Sequence, residues 1–453
     1  MFLLLYLFLF TAGGAATVFD QEQSPPPSQM RAAGPLVEMT PGQVVSVEQA
    51  RIQPELFLSV FSREVVDSWD IHWDVFQDMD LVFDAPRKRA VIKTIEEKFK
   101  YFSGTKNIDY YTLSGQIADI RRQMEAVHED RLAQIARGYF CRLFPQSHIE
   151  TLSKTGGVQL GKRVVVRIDQ KQYTYYVKTH SQGRLEEKSS PPEIIKPEEL
   201  LVYKFLELSG FGPACHFFER SPQDVYLATL DAAVVNGKQG QFLTLNRCEG
   251  AQLDRLTGGL SRQLAQETAE MEAILEHNPE AQVFARNLML TDILARVFRL
   301  TDVSENYENF GFTFLDGQMP LLRVIDFRVR NDRNFAIVKD HFLGFLEGNG
   351  EFNYVAHQQP FFSYILNRRA RQLRFVTGLA VMKGLYAKKS SVELAMSAVR
   401  AYIVNPGNSF GAAQESLVTK LAAYGLAVDQ NFDLLMRCFS EYESNSEEQR
   451  RAA

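Results

Sequence analysis

Cysteine is scarce in this chain. Its four cysteines, Cys141, Cys215, Cys248 and Cys438, lie far apart and in no paired spacing. That argues against a disulfide scaffold or a zinc module and leaves small buried hydrophobes in a reducing compartment. An excess of positive charge is absent too. Fifty Lys and Arg stand against 55 Asp and Glu, a formal net charge of −5, so nothing points to nucleic acid as a partner. Apolar residues are not depleted. With 45% hydrophobic and 23% charged residues over 453 positions, the chain is globular and long enough for two or three domains.

Basic residues are missing from the start, the first being Arg31. Phe2 to Phe10 is an unbroken apolar run, followed by the small residues Gly14-Ala15-Ala16. Segment 1–19 therefore has three readings: a signal-peptide core without its basic flank, a single bilayer anchor, or an over-extended start before Met30 or Met39. Membrane contact is expected through this segment alone, with a cytosolic-type soluble body behind it. Residues 20–45, with Pro25-Pro26-Pro27, read as a disordered linker.

Residues 46–147 form a helical module by pattern. Val91, Ile92, Ile95, Phe99 and Phe102 follow helical spacing, and so do Ile117, Ile120, Met124, Val127, Leu132 and Ile135. Nothing in this module suggests chemistry. The texture changes near Ile149, where a small sheet-bearing lobe is expected over 148–250. A loop with Gly156 and Gly157 leads into the β-branched run Val164 to Ile168. A turn at Asp169-Gln170-Lys171-Gln172 follows, then a second strand, Tyr173 to Val177, that ends on Lys178. Lys196-Pro197-Glu198-Glu199 opens a helix with proline and acids in the first turn, and Gly210 and Gly212-Pro213 end it. Ala214 to Phe218, Val225 to Leu230 and Gln241 to Leu245 read as further strands of the same sheet. Residues 251–440 read as a helical large lobe with a C-terminal helical extension, and 441–453 as a disordered acidic tail.

The stretch Leu300 to Val329 carries the most chemistry. A polar loop with Asp302, Asn306 and Asn309 precedes an apolar run, Leu321 to Ile325, that ends on Asp326. An aspartate at the edge of a buried strand needs a cation beside it, and oxygen-only ligands suit magnesium and its phosphates. Each residue also has a plain structural reading: Asn306 and Asn309 as turn formers, Asp302 as a helix-end residue, Asp326 as a partner of Arg323, Arg328 or Arg330.

The order of these motifs resembles the kinase-like fold in its broad sense, shared by protein kinases, aminoglycoside phosphotransferases, type II phosphatidylinositol kinases and toxin kinases of the HipA kind. The resemblance covers roughly Ile149 to Val329. It implies an α+β fold of two lobes and an ATP-dependent phosphotransferase using Mg2+ or Mn2+, with a protein, lipid or small-molecule acceptor. It further implies that Lys178 holds the phosphates, oriented by Glu199 or Glu198, and that Gly156 and Gly157 cover them. Asp302 is implied as the base, and Asp326 with Asn309 or Asn306 as the metal ligands.

The chain departs from the pattern in three places. Asn306 and Asn309 lie four and seven residues after Asp302, where five is usual; Asn309 is preferred because Asn309-Phe310-Gly311-Phe312 has the asparagine-then-strand form. Leu300-Thr301 stands where a histidine or arginine precedes the base, and Arg328 where protein kinases have glycine. These departures keep a second reading open, an inactive pseudokinase acting as an interaction scaffold. Two further expectations are separate. Arg368, Arg369, Arg371 and Arg374 read as a solvated basic face, with anionic lipid or phosphate as the alternative, and the acidic tail from Glu441 resembles the ends of exported bacterial effectors.

Overall fold

The computed structural model describes residues 129–154, 161–179, 195–221, 224–248, 273, 275–303, 306, 308–330, 335–348, 365, 370–408 and 410–452. Segment 1–19, the linker, most of the N-terminal module, the Gly156-Gly157 loop, Arg368 and Arg369 lie outside them.

Helix α1 (129–143) precedes three strands, β1 (His148–Ser153), β2 (Gly161–Ile168) and β3 (Lys171–Thr179). Helix α2 (Pro197–Ser209) follows, then β4 (Cys215–Ser221) and β5 (Asp224–Leu230). These five strands form one antiparallel sheet in the order β1-β2-β3-β5-β4. Alternation along the strands gives the sheet two apolar faces. Val164, Val166, Tyr175, Val177 and Tyr226 pack with Leu132, Ala136 and Phe140 of α1. Phe217, Val225 and Leu227 turn the other way, into the main core with α2. Lys162 and Glu129, 2.5 Å apart, fasten α1 to β2.

The chain leaves this sheet through a tight hairpin, β6 (Val234–Val235) and β7 (Lys238–Gln239), where Asn236 and Gly237 take positive φ of 50° and 73°. Gln241–Thr244, expected as another strand of the small sheet, is β8 of a different one. It pairs with β10 (Phe310–Phe314), which pairs in turn with β11 (Leu321–Val324). The hairpin redirects the chain, and Gly311 lets β8 approach: a Cβ there would stand 2.1 Å from the Leu243 carbonyl oxygen.

The helical part comprises α3 (Leu245–Cys248), α4 (Pro279–Val297), α5 (Lys339–Glu347), α6 (Arg371–Tyr386), α7 (Ser390–Val404) and α8 (Gln414–Ala452). Asn278 caps α4, its side chain accepting from the Glu280 and Ala281 amides at 3.0 and 3.1 Å. Almost every residue of α4 after its first turn is buried, as its wide apolar face requires. The C-terminal helices wrap around α2. Lys388 donates to the Ser209 carbonyl at the end of α2 (2.7 Å), Phe432 meets Phe205, and Tyr402 meets Phe217. This explains why α2 is apolar on most sides. The architecture is α+β: a small antiparallel sheet with its helix, beside a mainly helical part. No helix of the described residues is long and apolar enough to cross a membrane.

Two expectations are corrected. Residues up to Ala452 continue helix α8, so the stretch read as a disordered tail is helical. Lys339 and Lys383 pair with Glu441 and Glu443, and Tyr442 lies against Phe342 and Phe375, so alternate polar and aromatic positions hold the acidic end down. Arg374 is not on a solvated face. It is fully buried, ion-paired with Asp292 of α4 and stacked 4.5 Å over Phe345, while Arg296 holds the other Asp292 oxygen at 2.8 Å. A buried aspartate needs this compensation. Arg374→Met is expected to cost roughly 3 kcal/mol or more of unfolding free energy, because Asp292 loses a partner while buried; denaturant titration of the two proteins checks it.

Candidate active site

Two short strands create the site. β9 (Leu300–Thr301) pairs antiparallel with β12 (Arg328–Val329), with Thr301 opposite Arg328 and Leu300 opposite Val329. Continuing that register by one and two residues brings Asp302 and Asp326 to the same end of the ribbon. The hairpin β10–β11 is the intervening excursion. Tyr424 and Asn431 of α8 fix the approach by donating to the Phe298 and Val297 carbonyls at 2.7 and 2.9 Å.

Within the loop, hydrogen bonds separate the two asparagines. The Asn306 amide donates to the Asp302 carbonyl (3.2 Å), and the Asn306 side chain accepts from the Glu308 amide (3.0 Å). Asn306 therefore forms a turn, its side-chain oxygen already used. Asn309 is buried, and its side-chain NH2 donates to the Asp302 carbonyl at 2.9 Å. That bond fixes which end of the amide is nitrogen. The Asn309 Oδ1 points elsewhere, with no protein donor among the described residues. The Asn309 carbonyl accepts from the Ile325 and Asp326 amides at 2.8 and 3.1 Å, which seats the asparagine directly against Asp326. Asp302 itself has φ of 66°, a left-handed conformation that aspartate tolerates better than most residues. No described residue bonds its carboxylate.

Asp326 is held from one side. Its Oδ1 accepts from Lys178 Nζ at 2.6 Å, Tyr203 Oη at 3.2 Å and its neighbour's Phe327 amide at 3.0 Å. Its Oδ2 has no donor among the described residues. Burial alone would raise the Asp326 carboxyl, but the Lys178 ammonium, with help from Arg328 and the Phe327 amide, holds it below its usual value.

Glu199 is not the ion-pair partner of Lys178. Buried in the first turn of α2, it lies 3.7 Å from Lys196 and 4.0 Å from Arg328, and accepts from the Val329 amide. Burial raises its pKa, and the Lys196, Arg328 and Lys178 charges oppose the rise. Glu199 thus ties α2 to β12 and stands within electrostatic reach of Lys178. Glu198, its sequence neighbour, is half-buried.

Sequence reasoning passed over Tyr203 and Lys154. Tyr203 sits one helical turn after Glu199, stacks on Phe327 at 4.3 Å between ring centroids and carries the Lys178 ammonium 5.9 Å from its own ring. Its spacing from Glu199 was the available signal. Lys154 directly follows β1, at the start of the stretch that leads to Gly156 and Gly157.

No family model matches the chain, and no curated protein does. Among solved structures it is similar to the Helicobacter pylori proinflammatory kinase CtkA, with 10% identity and a TM-score of 0.35, over 66% of this chain and 97% of that one. The chemical case rests on the side chains themselves.

The pairing of Lys178 with Asp326 makes a prediction with a definite sign. A carboxyl whose folded pKa lies below its ordinary 3.8 contributes stability that is complete above that value and lost as pH falls through the lowered folded value. In Lys178→Met the main cause of the lowering is gone. Stability at neutral pH is expected to fall by roughly 1–3 kcal/mol, and the loss across that acid window to shrink. Denaturant unfolding at a series of pH values measures both.

Proposed function

We propose that this chain is a phosphotransferase with a kinase-like site, moving a phosphoryl group from ATP to a hydroxyl of a protein, lipid or small molecule. The observation that carries the reading is one assembly. A lysine from an inner strand of the sheet meets an aspartate 148 residues later, beside an asparagine oriented by the backbone of a second aspartate, Asp302.

The donor set fits magnesium or manganese. Asp326 Oδ2 and Asn309 Oδ1 are hard oxygen donors with no protein donor among the described residues, and they come from residues in backbone contact. No cluster of three or more His, Cys, Asp or Glu able to hold a metal occurs among the described residues. A cation here would take few protein ligands and fill its remaining positions with phosphate and water, which is the habit of magnesium. When bound, it would neutralise charge on the phosphates. Lys178 supplies a point charge to the phosphates, Tyr203 helps keep Asp326 in place, and Glu199 ties α2 to β12 beside them. Asp302, whose carboxylate is bonded by no described residue, orients the acceptor hydroxyl and takes its proton. The fixed Asn309 amide means little reorganisation is required, and catalysis of this kind is mostly positioning.

A non-catalytic scaffold is the competing reading, and one observation favours it: Lys178 and Asp326 already neutralise each other. Ligand-dependent thermal shift separates the two. With magnesium or manganese present, ATP is expected to raise the melting temperature of the wild type and not of Asp326→Ala; no shift in the wild type removes the enzyme reading. In turnover, Asp302→Ala is expected to lose roughly 100- to 10,000-fold in rate. Asn309→Ala is expected to raise the metal requirement and Asn306→Ala to leave it unchanged. Turnover surviving Asp302→Ala would remove that residue from the base role.

A further inference from the structure

We propose that Lys154 is a second phosphate-binding cation, so that the site takes a polyphosphate spanning two lysines on one face of the sheet. The inference rests on the phosphotransferase reading and extends it to a residue outside the motifs that suggested that reading.

Register carries the argument. Ser153 pairs with Lys162 at the end of β1, so the next residue, Lys154, comes opposite Gly161. Gly161 in turn pairs with Lys178 of β3, and Lys178 with Leu227 of β5. Residues opposite one another in neighbouring strands point to the same side. Lys154, Gly161, Lys178 and Leu227 therefore form one row, and Leu227 belongs to the core on the α2 side of the sheet. The neighbouring row, Lys162, Val177 and Ala228, faces the other way; Val177 and Ala228 join the cluster beneath α1 and Lys162 pairs with Glu129.

Glycine at 161 leaves a gap in the row. The Lys154 Cδ stands 3.3 Å from where a Cβ on Gly161 would be, so the Lys154 stem lies over the glycine, towards Lys178. The glycine is also required by the backbone, since that Cβ would meet the Val177 carbonyl oxygen at 2.4 Å. The charges register the same proximity. Burial and then the Lys178 ammonium push the Lys154 pKa down, while Asp326 pulls it up.

Register and the lie of the Lys154 stem thus bring two like charges to one face, where each raises the cost of the other. A chain of phosphates relieves both at once. One phosphate can satisfy Lys178 without Lys154; two or more can reach across the width of β2, about 10 Å between the outer strands.

The test uses the full-length protein and inorganic triphosphate against inorganic phosphate, without metal, by titration calorimetry. The wild type is expected to bind triphosphate at least tenfold more tightly than phosphate. Lys154→Met should lose most of that preference, Lys154→Arg should keep it, and Lys171→Met, at the far end of β3, should not change it. Lys154→Gln serves if the Met variant does not fold. If Lys154→Met binds triphosphate like the wild type while Lys178→Met does not, Lys154 is outside the anion site and the phosphotransferase reading stands without it. If the wild type binds neither anion nor ATP with magnesium, both readings fall together.

Discussion

The ion pair between Lys178 and Asp326 is the contact on which the rest of the site depends. It joins the end of an inner sheet strand to the end of the β11 segment at 2.6 Å, in a setting where an unpaired carboxylate would be costly. Everything around it specifies the same geometry. The β9–β12 ribbon brings Asp302 alongside, Asn309 clamps the Asp326 backbone, and Tyr203 supports the carboxylate from α2. Three donors converge on one oxygen, and the other has no donor among the described residues. The asymmetry is what turns a structural ion pair into a candidate binding site.

Helix α2 is packed against the sheet on one side and the C-terminal helices on the other, with Leu200, Leu201, Phe205 and Leu206 essentially inaccessible. Each such side chain is worth roughly 1.5–3 kcal/mol of burial. Swinging α2 away from the site would expose several at once. Glu199, tied to β12 through Arg328 and the Val329 amide, is accordingly a joint between helix and ribbon.

Much of this was legible in the residues. The β-branched run before Lys178, the proline-and-acid start of α2 with Gly210 at its end, and the Asp302 to Asp326 stretch all lie where local chemistry places them. Other features depend on distant partners. No local signal shows that Gln241–Thr244 joins β10, because the pairing depends on where the hairpin at Asn236-Gly237 sends the chain. Arg374 resembles a surface residue until Asp292, 82 positions away, is brought beside it. The polar composition of the C-terminal end suggested disorder, yet a few aromatic anchors and lysine partners hold it as helix. Lys154 was hidden for a different reason: strand register, invisible without the pairing, puts it in one row with Lys178. The difference between Asn306, which closes a turn onto Glu308, and Asn309, which sits against Asp326, needed hydrogen-bond geometry to be seen.

The most direct measurement is a crystal structure with magnesium and a non-hydrolysable ATP analogue. The account predicts that Asp326 and the Asn309 side-chain oxygen both contact the metal, while Lys178 contacts the phosphates and Asn306 keeps its bond to the Glu308 amide. A nucleotide bound elsewhere, with the Lys178–Asp326 pair undisturbed and no metal at Asn309, would contradict it.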